Sequence, residues 1–348
     1  MHSAPQDLTV RYCESIWHEF QKLATPNADE LWTAGSDQSP PNDVQSFAGM
    51  IAIRDGRVQA VIGCTPEPDE TLAATPPVFS PAAREEDRPA ILKAMIQGMQ
   101  RVAAEKGLNS IHCLLPLTAD CSENTDRDGH SELLMRSAGL IPVATIRQLQ
   151  KTVRSNSDWP LENIDSSQSG GGPVRGPVSI PWPEVELLSA DEWASDTALC
   201  SRLETLLDDI LQQSQDLPDF LRPTGSSLLK VWRQRRVQLL LAGGRRNPCG
   251  IAAVSGPVAG TATLEYLGIA PHQRRQGRGR GLLAAVEHVV VEQTNRSDSD
   301  SDCEPALRPS GVLVTAFTDA GNAPAGQLYE RCGYSETARL RLFHVSVR

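Results

Sequence analysis

The sequence has no apolar run approaching the roughly 20 residues that a membrane helix requires, so a soluble chain with no membrane partner is expected. Its first residues, "MHSAPQDLTVRYCESIW", lack a basic segment followed by an apolar core, so no secretory signal is read and the cytoplasm is the expected location. The eight cysteines, at 13, 64, 113, 121, 200, 249, 303 and 332, contain no C-x-x-C pair and no nearby histidine at zinc spacing. They read as reduced thiols rather than metal ligands. Net positive charge is also missing: the formal charge is -10, against a protein whose whole surface binds nucleic acid or anionic lipid. A local basic site stays open. The acidic stretch "SDSDSDCEP", residues 297–305, reads as a solvated loop, because adjacent like charges cannot share a buried face.

What is present fits a globular protein of 348 residues, 40% hydrophobic and 22% charged, long enough for two cores. Glycine, serine and proline crowd together in "SSQSGGGPVRGPVSIPWPEVE" and apolar periodicity vanishes there. The expected organisation is a domain over 1–151, a linker over 152–183 and a second domain over 184–348. The oligomeric state is not legible.

In the second half, Leu199, Leu203, Leu206, Leu207, Ile210 and Leu211 recur at helical spacing. Three strands follow in "RVQLLLAGG", "CGIAAVSG" and "TATLEYLGIA". Leu282, Leu283, Val286, Val289 and Val290 then share one helical face, "GVLVTAF" is a further strand, and "NAPAGQLYERCGY" reads as a helix closed by Gly333. The first half repeats part of this order: a hairpin turning at Asp55 and Gly56, a helix through Ile91, Leu92, Met95, Ile96, Met99 and Val102 that stops at Gly107, and the strand "SIHCLLPL". "SELLMRSAGLIPVATIRQLQ" matches "GQLYERCGYSETARLRLFHV" in kind: helix, glycine, strand. The expectation is an α/β protein with a mixed sheet, made of two distant copies of one unit.

The stretch "IAPHQRRQGRGRGLL", Ile269 to Leu283, leads from a strand through an arginine-glycine loop into a helix. Such a junction directs unpaired backbone N–H groups at the positive end of a helix dipole, which makes an anion site, most often for phosphate. Gly277 and Gly279 let the backbone come close to the anion. No Gly-Lys-Ser/Thr follows and no G-x-G-x-x-G opens the helix, so neither a Walker loop nor a dinucleotide fingerprint is present. On the loop alone, a phosphate site and an ordinary surface loop are both open.

With its flanks, "LEYLGIAPHQRRQGRGRGLLAAVEHV" resembles motif A of the GCN5-related N-acetyltransferase (GNAT) superfamily: a strand, Pro271, then Q/R-x-x-G-x-G/A at Arg274, Gly277 and Gly279. "NAPAGQLYERCGY" is similar to motif B of the same superfamily, and the two motifs occur in the family order. The resemblance covers 184–348. It implies the acyl-CoA N-acyltransferase fold, a mixed sheet whose fourth and fifth strands splay, and acetyl-CoA as co-substrate with an amine acceptor and no metal. It places the pyrophosphate on the amides of Arg275, Gln276, Gly277, Arg278, Gly279 and Arg280, with Arg274 heading the motif, and pantetheine along Leu267, Gly268 and Ile269. Asn322 either faces the cofactor or caps its helix.

The resemblance also implies an acid for the departing thiolate at Tyr329, whose other reading is a core tyrosine. Glu265 matches a family base, and the alternative is a structural or solvent-facing glutamate. Simple strand alternation puts Glu265 on one face with Leu267 and Ile269. His272 and His288 are read as loop and helix-surface residues. In the first half the matching stretch, "PPVFSPAAREEDRPAIL", has no glycine and carries Glu85, Glu86 and Asp87, which repel phosphate. That half is read as a degenerate GNAT-like domain, with an unrelated α/β domain as the alternative. The function expected is N-acetyl transfer to an amine of a small molecule or protein in a ternary complex. A non-catalytic acyl-CoA sensor is the second reading, and an RNA-contact segment the third and weakest.

Overall fold

The computed structural model describes residues 8–13, 48–67, 70–117, 125–154, 185–215, 221–258, 260–299 and 311–347. In the first half these form β1 (Leu8–Cys13), β2 (Gly49–Arg54), β3 (Arg57–Pro66), β4 (Thr71–Ala74), β5 (Val78–Phe79), α1 (Arg88–Glu105), β6 (Ser110–Leu117), α2 (Thr125–Ser137) and β7 (Ile141–Val153). The second half contains β8 (Val185–Leu188), α3 (Ala190–Ser195), α4 (Thr197–Gln212), α5 (Gly225–Gln234), β9 (Gln238–Ala242), β10 (Gly250–Val258) and β11 (Thr261–Ile269). It continues with α6 (Arg278–Ser299), β12 (Val312–Asp319), α7 (Ala323–Arg331) and β13 (Ser335–Ser346).

Local chemistry accounts for most boundaries. The β2–β3 hairpin turns through Asp55 and Gly56, both at positive φ, as a two-residue turn between twisted strands demands. α1 ends before Gly107 and α7 before Gly333, each in the left-handed region. Helix α4 buries all six of its periodic leucine and isoleucine residues, and its N-cap, Asp196, accepts from the Leu199 amide at 2.9 Å. Thr224 and Ser227 form a reciprocal capping box that starts α5. Two readings shift at their ends. β7 runs to Val153, beyond Thr152 where the linker was expected to begin, and α6 continues through Ser297 to Ser299, so the acidic stretch begins as helix. Residues 155–184 and 300–310 lie outside the described residues.

The strands form one sheet in the order β1-β2-β3-β4-β6-β13-β7-β12-β11-β10-β9-β8, with β5 beside β3. The halves exchange their last strands. β13, from the second half, pairs antiparallel with β6 of the first, while β7 pairs antiparallel with β12 of the second, and β7 and β13 pair with each other at the centre. Each core therefore contains its neighbour's side chains. Phe343 of β13 is fully buried with Met95, Met99 and Ile111, and Leu149 and Val153 of β7 are buried with Val286, Val290 and Val314. Ion pairs tie the exchange on the α6–α7 face: Arg147 reaches Glu336 at 2.6 Å and Glu330 at 2.8 Å, and Lys151 reaches Glu287 at 2.8 Å.

On one face of the second half α6 and α7 cover the sheet; on the other, α3, α4 and α5 cover it through Trp193, Leu203, Leu207, Leu229 and Trp232. The same grammar holds the first half. In each, a strand pairs in parallel with the one after its crossover helix: β4 with β6 around α1, β11 with β12 around α6.

Candidate functional site at the splayed strands

Parallel pairing of β11 with β12 runs from Thr261 opposite Leu313 to Leu264 opposite Ala316 and stops there. β12 continues alongside β7 through Asp319, whereas Glu265 to Ile269 of β11 stay paired only with β10, apart from Glu265 itself. The fourth and fifth strands of this half thus open into a gap whose edge on one side is Leu267, Gly268 and Ile269.

Glu265 stands where that opening begins. On β10, Ala253 stands opposite Tyr266 and the next residue, Val254, opposite Leu264, so Glu265 is the extra residue of a β-bulge. The bulge corrects the expectation from alternation. Ala262, Leu264, Leu267 and Ile269 all pack toward α6, because the extra residue resets the period. Glu265 lies instead on the α4–α5 face, where its Oε1 accepts from Ser255 Oγ at 2.6 Å. Arg235 Nη1 stands 3.6 Å from its Oε2. Tyr266 shares this face, its ring 5.6 Å from that of Trp232, and it covers Gly268, where a Cβ would meet the tyrosine ring at 2.8 Å and Ile210 at 2.9 Å.

Beyond Ile269 the chain makes a short turn at Pro271–Gln273 and then takes left-handed backbone at Arg275 (φ 62) and Gly277 (φ 78). The first bond of α6 is from the Gly281 amide to the Gly277 carbonyl at 3.0 Å. The amides of Gly279 and Arg280 precede it, in the turn whose N–H groups have no intrahelical acceptor. A Cβ on Gly277 would meet nothing within 4 Å, so open space adjoins the backbone, and one on Gly279 would lie 3.5 Å from Leu328 and 3.8 Å from Ile269. Loop, strand end and α7 converge there. The left-handed turns and the open helix start fit a phosphate group, and the gap beside β11 fits an extended amide-bearing arm.

The arginines divide their tasks. Arg274 turns back, donating from Nε to the Ile269 carbonyl at 3.0 Å and from its terminal nitrogens to the Gln213 and Ile210 carbonyls at 3.4 and 3.5 Å, so it fastens the end of α4 to the loop. Arg278 Nη1 lies 3.4 Å from Cys249 Sγ. Gln276 donates to the His272 carbonyl at 3.3 Å, and Arg275 and Arg280 are exposed. His272 is exposed in the loop and His288 half-buried on α6.

Tyr329 is buried on α7, its ring 5.4 Å from that of Tyr334 in an edge-on contact within the α6–α7 core. Burial and neighbouring Glu287 push the Tyr334 hydroxyl well above the ordinary tyrosine range. Asn322 acts as the N-cap of α7, its Oδ1 accepting from the Ala325 amide at 3.2 Å. Arg235 was missed from the sequence, where nothing distinguishes it from its neighbours Arg233 and Arg236; its Nη2 also lies 2.5 Å from Glu67 Oε2 of the first half.

The corresponding loop of the first half is built otherwise. None of residues 75–88 has positive φ, and the chain turns back so that Val78 and Phe79 pair with β3. Asp87 at the helix start is bound to Arg54 at 2.6 Å, and Pro89 removes one amide of the first turn. Among the described residues no group of three His, Cys, Asp or Glu side chains could hold a metal, and no helix is long and apolar enough to cross a membrane. The six described cysteines are free, and burial pushes the thiols of Cys64 and Cys113 up to about 12.

The second half thus combines a mixed sheet that splits between β11 and β12 with a left-handed loop that opens α6. The chain has the GNAT fold along its whole length. It is similar to a GCN5-related N-acetyltransferase from Sphaerobacter thermophilus, at 13% identity and TM-score 0.55, covering 99% of this chain and 98% of that one. A tandem GNAT protein from the clavulanic acid biosynthesis pathway resembles it at 10% identity and TM-score 0.50, covering 98% and 99%. No family model matches the chain, and no curated protein matches its sequence.

Proposed function

We propose that the chain is an N-acetyltransferase with one working site, in the second half, that transfers the acetyl group of acetyl-CoA to an amine in a ternary complex. The observation that carries this reading is the end of β11–β12 pairing at Leu264 and Ala316, directly before a left-handed loop that opens α6. In it, the amides from Arg275 to Arg280 hold the pyrophosphate and the edge of β11 at Leu267, Gly268 and Ile269, past the end of its pairing with β12, binds the pantetheine amides. Arg274 acts indirectly by bracing the loop against α4.

Glu265 and Tyr329 belong to opposite faces of the sheet, and the gap between β11 and β12 is what connects those faces. A thioester lodged in the gap has the glutamate on the side where an amine enters and the tyrosine on the other. Glu265 takes the amine proton as nitrogen attacks the carbonyl carbon. Tyr329 gives its proton to the sulfur as the C–S bond breaks. Each role supplies typically about 10²–10⁴ in rate. The first half is a degenerate copy, since its loop presents carboxylates and a proline where the second presents amides. The acceptor is an amine of a small molecule or protein.

Burial of Tyr329 against Tyr334 favours a second reading, an acyl-CoA sensor in which this tyrosine is a core residue and no acetyl group is transferred. Calorimetric titration with acetyl-CoA, followed by an acetyl-transfer assay over a panel of amines, tests both. Binding with transfer supports the enzyme; binding without transfer to any amine supports the sensor; absence of binding defeats both.

A further inference from the structure

One guanidinium links a carboxylate of the first half to Glu265. Arg235 follows the last turn of α5 and lies between two carboxylates 198 positions apart in the chain, Glu67 at 2.5 Å and Glu265 at 3.6 Å. The main chain of Glu67 is held where its amide donates to the Thr71 carbonyl at 2.8 Å across the β3–β4 turn. Ser255 holds the other oxygen of Glu265. A glutamate at a bulge has no cross-strand neighbour to orient it, so its carboxylate direction depends on such donors.

We propose that Arg235 is a positioning residue for Glu265 and that Glu67 holds it in place, so the first half completes the site although it binds no CoA itself. The inference rests on the acetyltransferase reading for its kinetic consequence. The trio carries one net negative charge when all three groups are ionised, which disfavours an acceptor presenting a carboxylate beside its amine. Arg235 is already matched by two glutamates and has little attraction left for an acidic acceptor.

The test uses the full chain labelled with ¹³C-carboxyl glutamate, in which the Glu265 resonance is identified by its loss in Glu265→Gln. Glu67→Gln should move that resonance, and the same substitution made on top of Arg235→Gln should not, since the contact that transmits it is gone. For an amine that the wild type acetylates, kcat/KM should fall about fivefold in Glu67→Gln, the scale of a partly exposed ion pair, with acetyl-CoA affinity unchanged. The exchange Glu67→Arg with Arg235→Glu restores the bridge between the halves but puts a carboxylate beside Glu265, so turnover should stay low. An unmoved resonance in Glu67→Gln, an equal movement with and without Arg235, or full turnover in the exchanged pair would overturn the proposal. If the resonance responds as stated and no amine is acetylated by the wild type, the acetyltransferase reading has failed and the positioning of Glu265 stands.

Discussion

Residues 75–88 and 270–278 occupy the same place in the two halves, between a strand and its crossover helix, and their backbones have opposite uses. The second loop takes left-handed backbone at Arg275 and Gly277 and reaches α6 with amides ahead of the first helical bond. The first spends its backbone on pairing β5 with β3, and Asp87 and Pro89 occupy the start of α1. One fold position is thus built as a left-handed loop before an open helix start in the second half and as a paired connection in the first. The same comparison extends to the ends of the halves, where β7 and β13 are exchanged and each stabilises its neighbour.

The strongest way to break the contrast between the loops is to make the second resemble the first. Gly277→Glu should abolish measurable CoA binding in calorimetry, because a carboxylate faces the pyrophosphate and an L-residue in the left-handed region costs roughly 1–2 kcal/mol. Gly279→Glu should act alike. Unfolding should change little in Gly277→Glu beyond that strain, since its Cβ meets nothing within 4 Å. In the unaltered chain the titration should give one site; a stoichiometry near two would show that the first loop also binds.

Phe343→Ala probes the exchange. It removes a fully buried ring that the second half contributes to the core of the first, and should destabilise by about 3–5 kcal/mol in urea unfolding. The loss should appear in probes of both halves at one midpoint. Separate transitions, with the second half unaffected, would mean that the shared sheet does not couple them.

Tyr329→Phe keeps the ring against Tyr334 and removes one oxygen. Turnover should fall roughly 10²-fold while acetyl-CoA affinity is kept. Full turnover at saturating acetyl-CoA would remove the acid role and leave Tyr329 as a core residue.

The smallest effect expected is on pH. His344 of β13 faces His112 of β6 across the exchanged strands, at 3.2 Å between ring nitrogens, and burial lowers its pKa. The neutral ring is favoured in the fold, so unfolding takes up a proton. Its contribution to stability is present above the ordinary histidine value near 6.5 and is lost as pH falls below it, by no more than about 1.4 kcal/mol per unit. Urea unfolding at pH 7.5 and 5.5 checks this, and His344→Gln should flatten the difference.

Much of the second half was legible because its signals are local. Apolar spacing marks α4 and α6, Gly333 marks the end of α7, and the glycines of the strand-loop-helix junction mark the left-handed loop before α6. The bulge at Glu265 was not legible, since a β-bulge is a mismatch between two strands and neither strand alone records it; alternation read from one strand therefore put Glu265 on the wrong face. Arg274 stands at a motif position, yet its guanidinium spends its donors on the end of α4. Arg235 carried no signal in a run of three arginines within four residues. Its neighbours, Glu67 and Glu265, are distant in sequence.

The short elements β1, β4, β5, β8, α3 and α5 did not stand out in the sequence. By itself the sequence determined the longer helices and the main strands, that two similar units follow one another, and that the two crossover loops differ in glycine and in charge. These follow from side-chain periodicity, from the left-handed backbone that glycine permits and from the sign of nearby charge, all acting over a few residues. Only the tertiary structure decided that the last strands change places, that Phe343 completes the first core and Leu149 the second, and that Glu67 and Glu265 meet at Arg235. A strand's hydrogen-bonding edge is the same whichever half it meets, so its partner is chosen by the packing of side chains on both faces, which exists only once the whole sheet has formed.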